Sequence, residues 1–236
     1  MTDTPTLLPD EGEVILINKP LTWTSFDIVN KIKKSCKIKK IGHAGTLDPL
    51  ATGLLILCTG KKTKEIDRYQ GAEKEYTGQL VLGQTTPSVD LETAFDATYP
   101  TDHITPKMLQ DAARQLTGTI EQFPPIYSAV KMDGEPLYKK ARRGEQVEIK
   151  PRTVTVSVFE IDDTHFPKIS FRIVCSKGTY IRSIVRDFGI LLHSGAYMSA
   201  LCRTRIGEFW LTDAEEIEDF VQRKRPILDE SLSRNS

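Results

Sequence analysis

The densest chemistry in this sequence lies in fourteen residues, Gly42-His43-Ala44-Gly45-Thr46-Leu47-Asp48-Pro49-Leu50-Ala51-Thr52-Gly53-Leu54-Leu55. Three glycines and a proline directly before an apolar run describe a tight connection with a fixed backbone. Asp48 precedes Pro49, which pushes its backbone to the extended region. Its neighbours Leu47, Leu50, Leu54 and Leu55 are apolar. A lone carboxylate in such surroundings is costly unless a cation compensates it, and a compensated carboxylate can act as a nucleophile. A plainer reading is also open: aspartate at the N-cap with proline at the first helical position is an ordinary helix start, and Asp48-Pro49-Leu50-Ala51 fits it. A phosphate-cradling loop does not fit. Gly53 and Gly60-Lys61-Lys62-Thr63 have six intervening residues and an extra lysine before the threonine, whereas the cradle needs G-x-x-x-x-G-K-[ST].

Arg182 is a candidate for a partly buried cation. It falls in the first turn of a predicted helix, one position after apolar Ile181, so it borders the buried stripe. An arginine there can hold a carboxylate ionised and fix its direction. The alternative is a surface arginine whose stem alone is buried.

The elements that would position these groups follow from periodicity and punctuation. Val14–Ile17 and Leu54–Leu57 are continuous apolar runs and read as buried strands, the second fenced by Gly53 and Gly60. Thr24 and Asp27 form a capping box for a helix with Ile28, Val29 and Ile32 on one face and Lys31, Lys33 and Lys34 on the other. Thr77–Leu82 is a third strand. Thr105-Pro106 opens a helix through Leu109, Ala112, Ala113 and Leu116, closed by Gly118. Val154, Val156 and Val158 alternate with polar residues, and Ile169, Phe171, Ile173 and Cys175 give a further strand. Ile181, Ile184, Val185 and Phe188 have helical spacing, and Thr212 with Glu215 is read as capping a last helix. Without strict β-α-β alternation, the pattern predicts an α+β fold with a mixed, mainly antiparallel central sheet flanked by helices. No repeat or linker divides residues 1–236, so a single domain is expected. Residues 123–152, rich in proline, glycine and charge with weak periodicity, read as a functional insertion.

Net charge is zero, with 32 basic and 32 acidic residues, but the charge is segregated. Lys31–Lys40 holds six lysines; Lys61, Lys62 and Lys64 follow; Lys139, Lys140, Arg142 and Arg143 form a third cluster; acids gather in Asp10–Glu13 and Asp213–Asp219. A neutral protein so arranged can offer a basic face to phosphates, although such lysines can equally be solvated helix faces. The start lacks a signal-peptide pattern and no apolar run could span a bilayer, so no membrane association is expected. Cys36, Cys58, Cys175 and Cys202 match neither a disulfide framework nor a metal pair. A reduced, cytoplasmic, metal-free protein is the expectation.

The stretch from His43 to Leu55 closely resembles the catalytic motif of the TruB family of tRNA pseudouridine-55 synthases, and the resemblance covers nearly the whole chain. Asn18-Lys19-Pro20 with Thr24-Ser25 is similar to the family's first motif. Lys74-Glu75-Tyr76 followed by Leu82-Gly83 is similar to its tyrosine motif. Asp90 falls where the family has an acidic T-x-x-D-x-x-G loop. Gln122–Lys131, with Leu137-Tyr138 and Ala141-Arg142, resembles its RNA-gripping insertion. Lys177–Arg182 matches its arginine motif, and Leu201-Cys202-Arg203-Thr204 is close to its L-R-R-T. Two departures stand out. The acidic loop, Thr86-Pro87-Ser88-Val89-Asp90-Leu91-Glu92, lacks the usual glycine, and nothing follows that matches the C-terminal PUA domain of many relatives.

The resemblance implies a cofactor-free isomerisation of one uridine in the T-loop of tRNA, by an enzyme that grips the T-arm; a monomer is the separate expectation. Asp48 would be the nucleophile and Arg182 its partner. The target base must be flipped out to be reached; Tyr76 would stack on it, Tyr180 and Leu201 would line the uracil pocket, and His43 would fill the space it vacates. Asp48 could attack the ribose C1′, act at the uracil ring, or abstract a ribose proton to give a glycal. Taken as residues alone, Tyr76, Tyr180 and Leu201 also suit ordinary packing, and His43 is an unremarkable loop histidine.

Overall fold

The structure is a computed structural model and describes residues 11–125, 131–132, 135–136, 143 and 150–224. In chain order the elements begin with β1 (Val14–Lys19), α1 (Ser25–Ser35), β2 (Ile41–His43), β3 (Ala51–Thr59), a 3-10 segment (Gly60–Glu65) and α2 (Ile66–Gly71). They continue with β4 (Lys74–Leu82), β5 (Gln84–Thr85), β6 (Ala97–Thr98), α3 (Pro106–Gln115), β7 (Gly118–Gln122), β8 (Lys131–Met132), β9 (Glu135–Pro136), β10 (Arg152–His165) and β11 (Lys168–Cys175). The last are α4 (Ile181–Leu191), β12 (Ala196–Ile206), β13 (Phe209–Trp210), a 3-10 turn (Leu211–Asp213) and a helix over 217–224. The chain forms two compact units, Met1–Ala72 with Cys202–Ser236, and Glu73–Leu201.

In the first unit β3 is the organising strand. Leu54 through Cys58 are all fully buried, because both faces of β3 are covered, as expected of an unbroken apolar run. Leu55 and Leu57 join Ile15, Ile17, Ile28, Ile32 and Phe220 in one cluster. Leu54, Ile56 and Cys58 join Ala44, Tyr69 and Ile206 in another. β1 pairs antiparallel with β3, Ile15 opposite Leu57 and Ile17 opposite Leu55. The Thr24–Asp27 capping box forms in both directions: Asp27 N–H donates to Thr24 Oγ1 at 3.0 Å, and Thr24 N–H to Asp27 Oδ2 at 2.9 Å. β3 is longer than Leu54–Leu57 and passes through Gly53, whose φ of +102° only glycine adopts at ease. A Cβ there would strike the Arg203 carbonyl, with the Arg203 nitrogen 2.7 Å away. The glycine therefore lets the second half of β12 lie against β3.

In this unit the plainer reading of Asp48 fails and one expectation is corrected. Asp48 does not start a helix: Ala51 N–H closes a turn onto the Asp48 carbonyl at 3.0 Å, and the chain enters β3. Burial of the next residues on two opposite faces needs a strand. Nor does Thr212 cap the last helix. Glu215 instead bonds to β1, through Asn18 N–H to its carbonyl and its N–H to Leu16, and the helix begins at 217.

In the second unit β4, β11, β10 and β7 lie side by side and antiparallel, and the first half of β12 lies beside β4. β4 starts at Lys74, three residues before the expected Thr77, because β11 pairs with it down to Cys175. α3 keeps its expected cap, Met108 N–H to Thr105 Oγ1 at 3.3 Å, and buries Leu109, Ala112 and Ala113. The expected α4 stripe of Ile181, Ile184, Val185 and Phe188 is buried, with Phe188 tilted against Phe159 at 5.6 Å. The expected α+β architecture, mixed and mainly antiparallel, is what forms. Of the segment 123–152, Tyr127, Tyr138, Lys139, Lys140 and Arg142 lie outside the described residues.

Candidate active site

Asp48 sits half-buried in the turn between β2 and β3, and four anchors within the first unit fix that turn. Ser25, the first residue of α1 and itself buried, takes the Leu47 N–H at 2.9 Å and returns its hydroxyl to the Leu47 carbonyl at 3.4 Å. Thr22, at φ +70°, donates its N–H to the Pro49 carbonyl at 2.8 Å. Lys19 is fully buried, and its ammonium donates to the carbonyls of Trp23 (2.6 Å), Pro20 (2.9 Å) and Pro49 (3.4 Å). Arg203, only 1% exposed, donates Nε to Leu54 (2.8 Å), Nη2 to Gly45 (3.3 Å) and Nη1 to Thr46 (3.5 Å), all carbonyls. Two buried cations therefore hold the backbone on either side of Asp48.

Electrostatics agree with this geometry. Burial pushes the Lys19 amine down from 10.5 to about 8, with the Asp48 carboxylate pulling it back up and the Arg203 guanidinium pushing it further down. His43, on β2 opposite Leu57, has its pKa lowered chiefly by burial; the Gly45 carbonyl opposes the shift and Arg203 adds to it. Buried His43 Nδ1 has no hydrogen-bond partner among the described residues. A neutral imidazole is the form such surroundings favour.

The second unit holds the other predicted residues. Arg182 is 4% exposed in its side chain and forms an ion pair with Asp90, 3% exposed, with Nε 3.8 Å from Oδ2; its Nη1 also donates to the Ser88 carbonyl at 3.0 Å. Its borderline helix position resolves as burial rather than snorkelling. Tyr76 is buried on β4 opposite Ile173, and Leu201 is buried on β12. Tyr180 caps α4, and the buried Gln122 amide grips its backbone twice, accepting the N–H at 2.8 Å and donating to the carbonyl at 3.1 Å. Arg152 lies over the Tyr180 ring at 5.7 Å. Thus Asp48 and His43 belong to the first unit, and Tyr76, Tyr180, Arg182 and Leu201 to the second.

Sequence reasoning missed Lys19, Ser25, Arg203 and Asp90 as site residues, although each stood inside a quoted motif. A signal did exist for Lys19. Buried positions in β1 alternate through Ile15, Ile17 and Lys19, so the strand's own period places the lysine on the core face. Leu201 and Arg203 share the buried phase of β12 in the same way. The lysine clusters are partly neutralised on folding: Lys31 pairs with Glu218, Lys61 with Glu11 and Lys62 with Glu65. Lys33, Lys34, Lys37, Lys39, Lys40 and Lys64 are exposed. Among the described residues no group of three His, Cys, Asp or Glu side chains is placed to hold a metal ion, and no helix is long and apolar enough to cross a membrane.

The α+β fold is shared with solved proteins. A chain of the crystal structure of a Cbf5-Nop10-Gar1 complex superposes with a TM-score of 0.71 and 29% identity, over 91% of this chain and 54% of that one. This chain thus spans about half the length of that solved relative. The family profile described as TruB family pseudouridylate synthase (N terminal domain) matches residues 33–181. The tRNA pseudouridine synthase B of Parabacteroides distasonis is 51% identical over 221 residues, covering 90% of this chain and 94% of that protein. The enzyme of the same name from Flavobacterium johnsoniae is 52% identical over 219 residues, covering 90% and 96%. The chain belongs to the TruB family of pseudouridylate synthases, enzymes that isomerise uridine to pseudouridine.

Proposed function

We propose that this enzyme acts on tRNA, isomerising the T-loop uridine at position 55, with Asp48 as nucleophile and no cofactor. The single observation that carries the assignment of Asp48 is the bracing of its turn by Lys19, Ser25 and Arg203. A loop held only for structure does not need two buried cations around one carboxylate, since each is costly to bury. The substrate assignment is supported by relatives named tRNA pseudouridine synthase B, which this chain matches over almost their full length.

In this reading the ionised carboxylate of Asp48 begins the reaction, at the ribose C1′ as in a retaining glycosidase, at the uracil ring, or by removing a ribose proton. The glycosidic C1′–N1 bond breaks, the base turns, C5 of uracil rejoins C1′, the C5 proton leaves to solvent and N1 takes up a proton in its place. The resemblance in motif order assigns Arg182 as the cation that keeps Asp48 ionised during these steps. Asp90 and the Ser88 carbonyl direct its guanidinium. Tyr76 offers a flat ring for the flipped uracil, Tyr180 and Leu201 line its pocket, and a neutral His43 occupies the space it leaves in the T-loop. The exposed lysines of residues 33–40 and the insertion 123–152 grip phosphates of the T-arm, so binding weakens steeply with salt.

The test is tritium release from tRNA labelled with [5-³H]uridine, comparing wild type with Asp48→Asn. Release is expected from wild type alone and should vanish when the T-loop uridine is replaced. Release by Asp48→Asn at the wild-type rate would remove Asp48 from the mechanism. A folded wild-type enzyme that binds the tRNA and releases nothing would show a binding protein instead.

A further inference from the structure

The loop that holds Arg182 in the second unit is closed by a set of side-chain hydrogen bonds centred on Ser88 and Thr93. Thr93 Oγ1 accepts the Ser88 N–H at 3.1 Å and lies 2.8 Å from Ser88 Oγ. Ser88 Oγ donates in turn to the Asp90 carbonyl at 3.2 Å, which also accepts Thr86 Oγ1 at 2.6 Å. One proton arrangement satisfies every contact: Thr93 O–H to Ser88 Oγ, Ser88 O–H to the Asp90 carbonyl, and Ser88 N–H to Thr93 Oγ1.

The loop so latched is strained. Val89 lies at φ +62°, a conformation that a β-branched residue adopts only when its surroundings impose it. The residues on either side of Val89 are those Arg182 uses: Ser88 presents its carbonyl to Nη1 at 3.0 Å, and Asp90 presents its carboxylate to Nε at 3.8 Å. Asp90 is oriented from its other side by the Glu92 N–H at 3.0 Å. From these contacts we propose that Thr93 is a positioning residue for the isomerisation: its hydroxyl locks Ser88 and the Val89 turn so that the Ser88 carbonyl and Asp90 aim Arg182. This rests on the reading of Arg182 as the catalytic cation.

The experiment compares Thr93→Val, which keeps shape and loses the hydroxyl, with Thr93→Ser, which keeps the hydroxyl. Thr93→Ala is a second deletion without bulk, and Arg182→Lys tests the underlying reading. Each is assayed for kcat and KM by tritium release and for Tm. Thr93→Val and Thr93→Ala should lower kcat by about 3- to 10-fold, the size that one lost neutral hydrogen bond supports. KM should stay within about twofold and Thr93→Ser should restore kcat. Wild-type kcat in both deletions, with Arg182→Lys inactive, overturns the latch and leaves the role of Arg182 standing. A Thr93→Ser variant as slow as Thr93→Val also overturns it, because the methyl and not the hydroxyl would then matter. Full activity in Arg182→Lys removes the reading of Arg182 and the latch with it.

Discussion

Substituting Ser25 by alanine tests whether the bracing of the Asp48 turn matters for catalysis. The change deletes one oxygen and leaves the buried Leu47 N–H, now satisfied at 2.9 Å, without its acceptor. Such an orphaned donor costs about 1–3 kcal/mol. If the whole cost falls on the catalytic geometry of a chain that stays folded, kcat drops about 5- to 150-fold. If it falls instead on the folded state as a whole, Tm drops by roughly 2–4 °C per kcal/mol for a chain of this size. The structure decides between these extremes. Arg203 still holds Gly45 and Thr46, while Thr22 and Lys19 still hold Pro49, so the turn stays attached and only its middle, beside Asp48, loosens. The expected result is a fall in kcat of about tenfold with KM for tRNA within about twofold, and a Tm lower by about 2–4 °C. Single-turnover tritium release gives the first quantity and thermal melting followed by circular dichroism the last. A kcat within twofold of wild type, together with the full drop in Tm, would refute the reasoning, since Asp48 would then keep its geometry without this anchor.

Three further outcomes are expected. Tyr76→Leu should slow turnover far more than it weakens tRNA binding, measured by filter binding; equal losses would contradict stacking on the reacting base. For Lys19→Met the informative variable is pH. The folded amine titrates at about 8 against 10.5 when exposed, so between these values the unfolded chain binds the extra proton and stability rises with pH. Unfolding free energies of wild type minus Lys19→Met should therefore climb through that window, and a flat difference would mean Lys19 is not buried as described. Gly53→Ala places a Cβ against the Arg203 backbone at a positive φ, costing at least about 2 kcal/mol; an unchanged Tm would contradict the close approach of β12 to β3.

Local signals were legible in the sequence and long-range ones were not. The Thr24–Asp27 box, the Thr105–Pro106 start and the α4 stripe each depend on residues within one or two turns, and all formed as read. β12 was not foreseen, because Tyr197 through Arg205 (Tyr-Met-Ser-Ala-Leu-Cys-Arg-Thr-Arg) shows no clean alternation of apolar and polar residues and puts an arginine at a buried position. Its partners are also far away in sequence. The same distance hid the site's architecture. Asp48 was recognised, but the buried cations that hold its turn in the same unit, Lys19 and Arg203, are residues whose type argues for solvent. Arg182 was recognised too, yet its carboxylate within the second unit, Asp90, was noted as an acidic-loop residue and not as the partner of Arg182. Asp48-Pro49 read equally well as a helix start, since four residues cannot reveal that the next five will be covered on two faces.

The brace on the Asp48 turn also sets a clock. Gly45 and the arginine that holds its carbonyl are 158 residues apart. At a synthesis rate of roughly 5–20 residues per second, the turn waits about 8–30 s on the ribosome before Arg203 is even made. Until then the carbonyls of Gly45, Thr46 and Leu54 lack their buried donor, and β3 lacks the strand that passes over Gly53. The segment richest in chemistry is among the earliest to be synthesised and among the last to be set. The brace on the Asp48 turn therefore cannot close before the chain has passed Arg203.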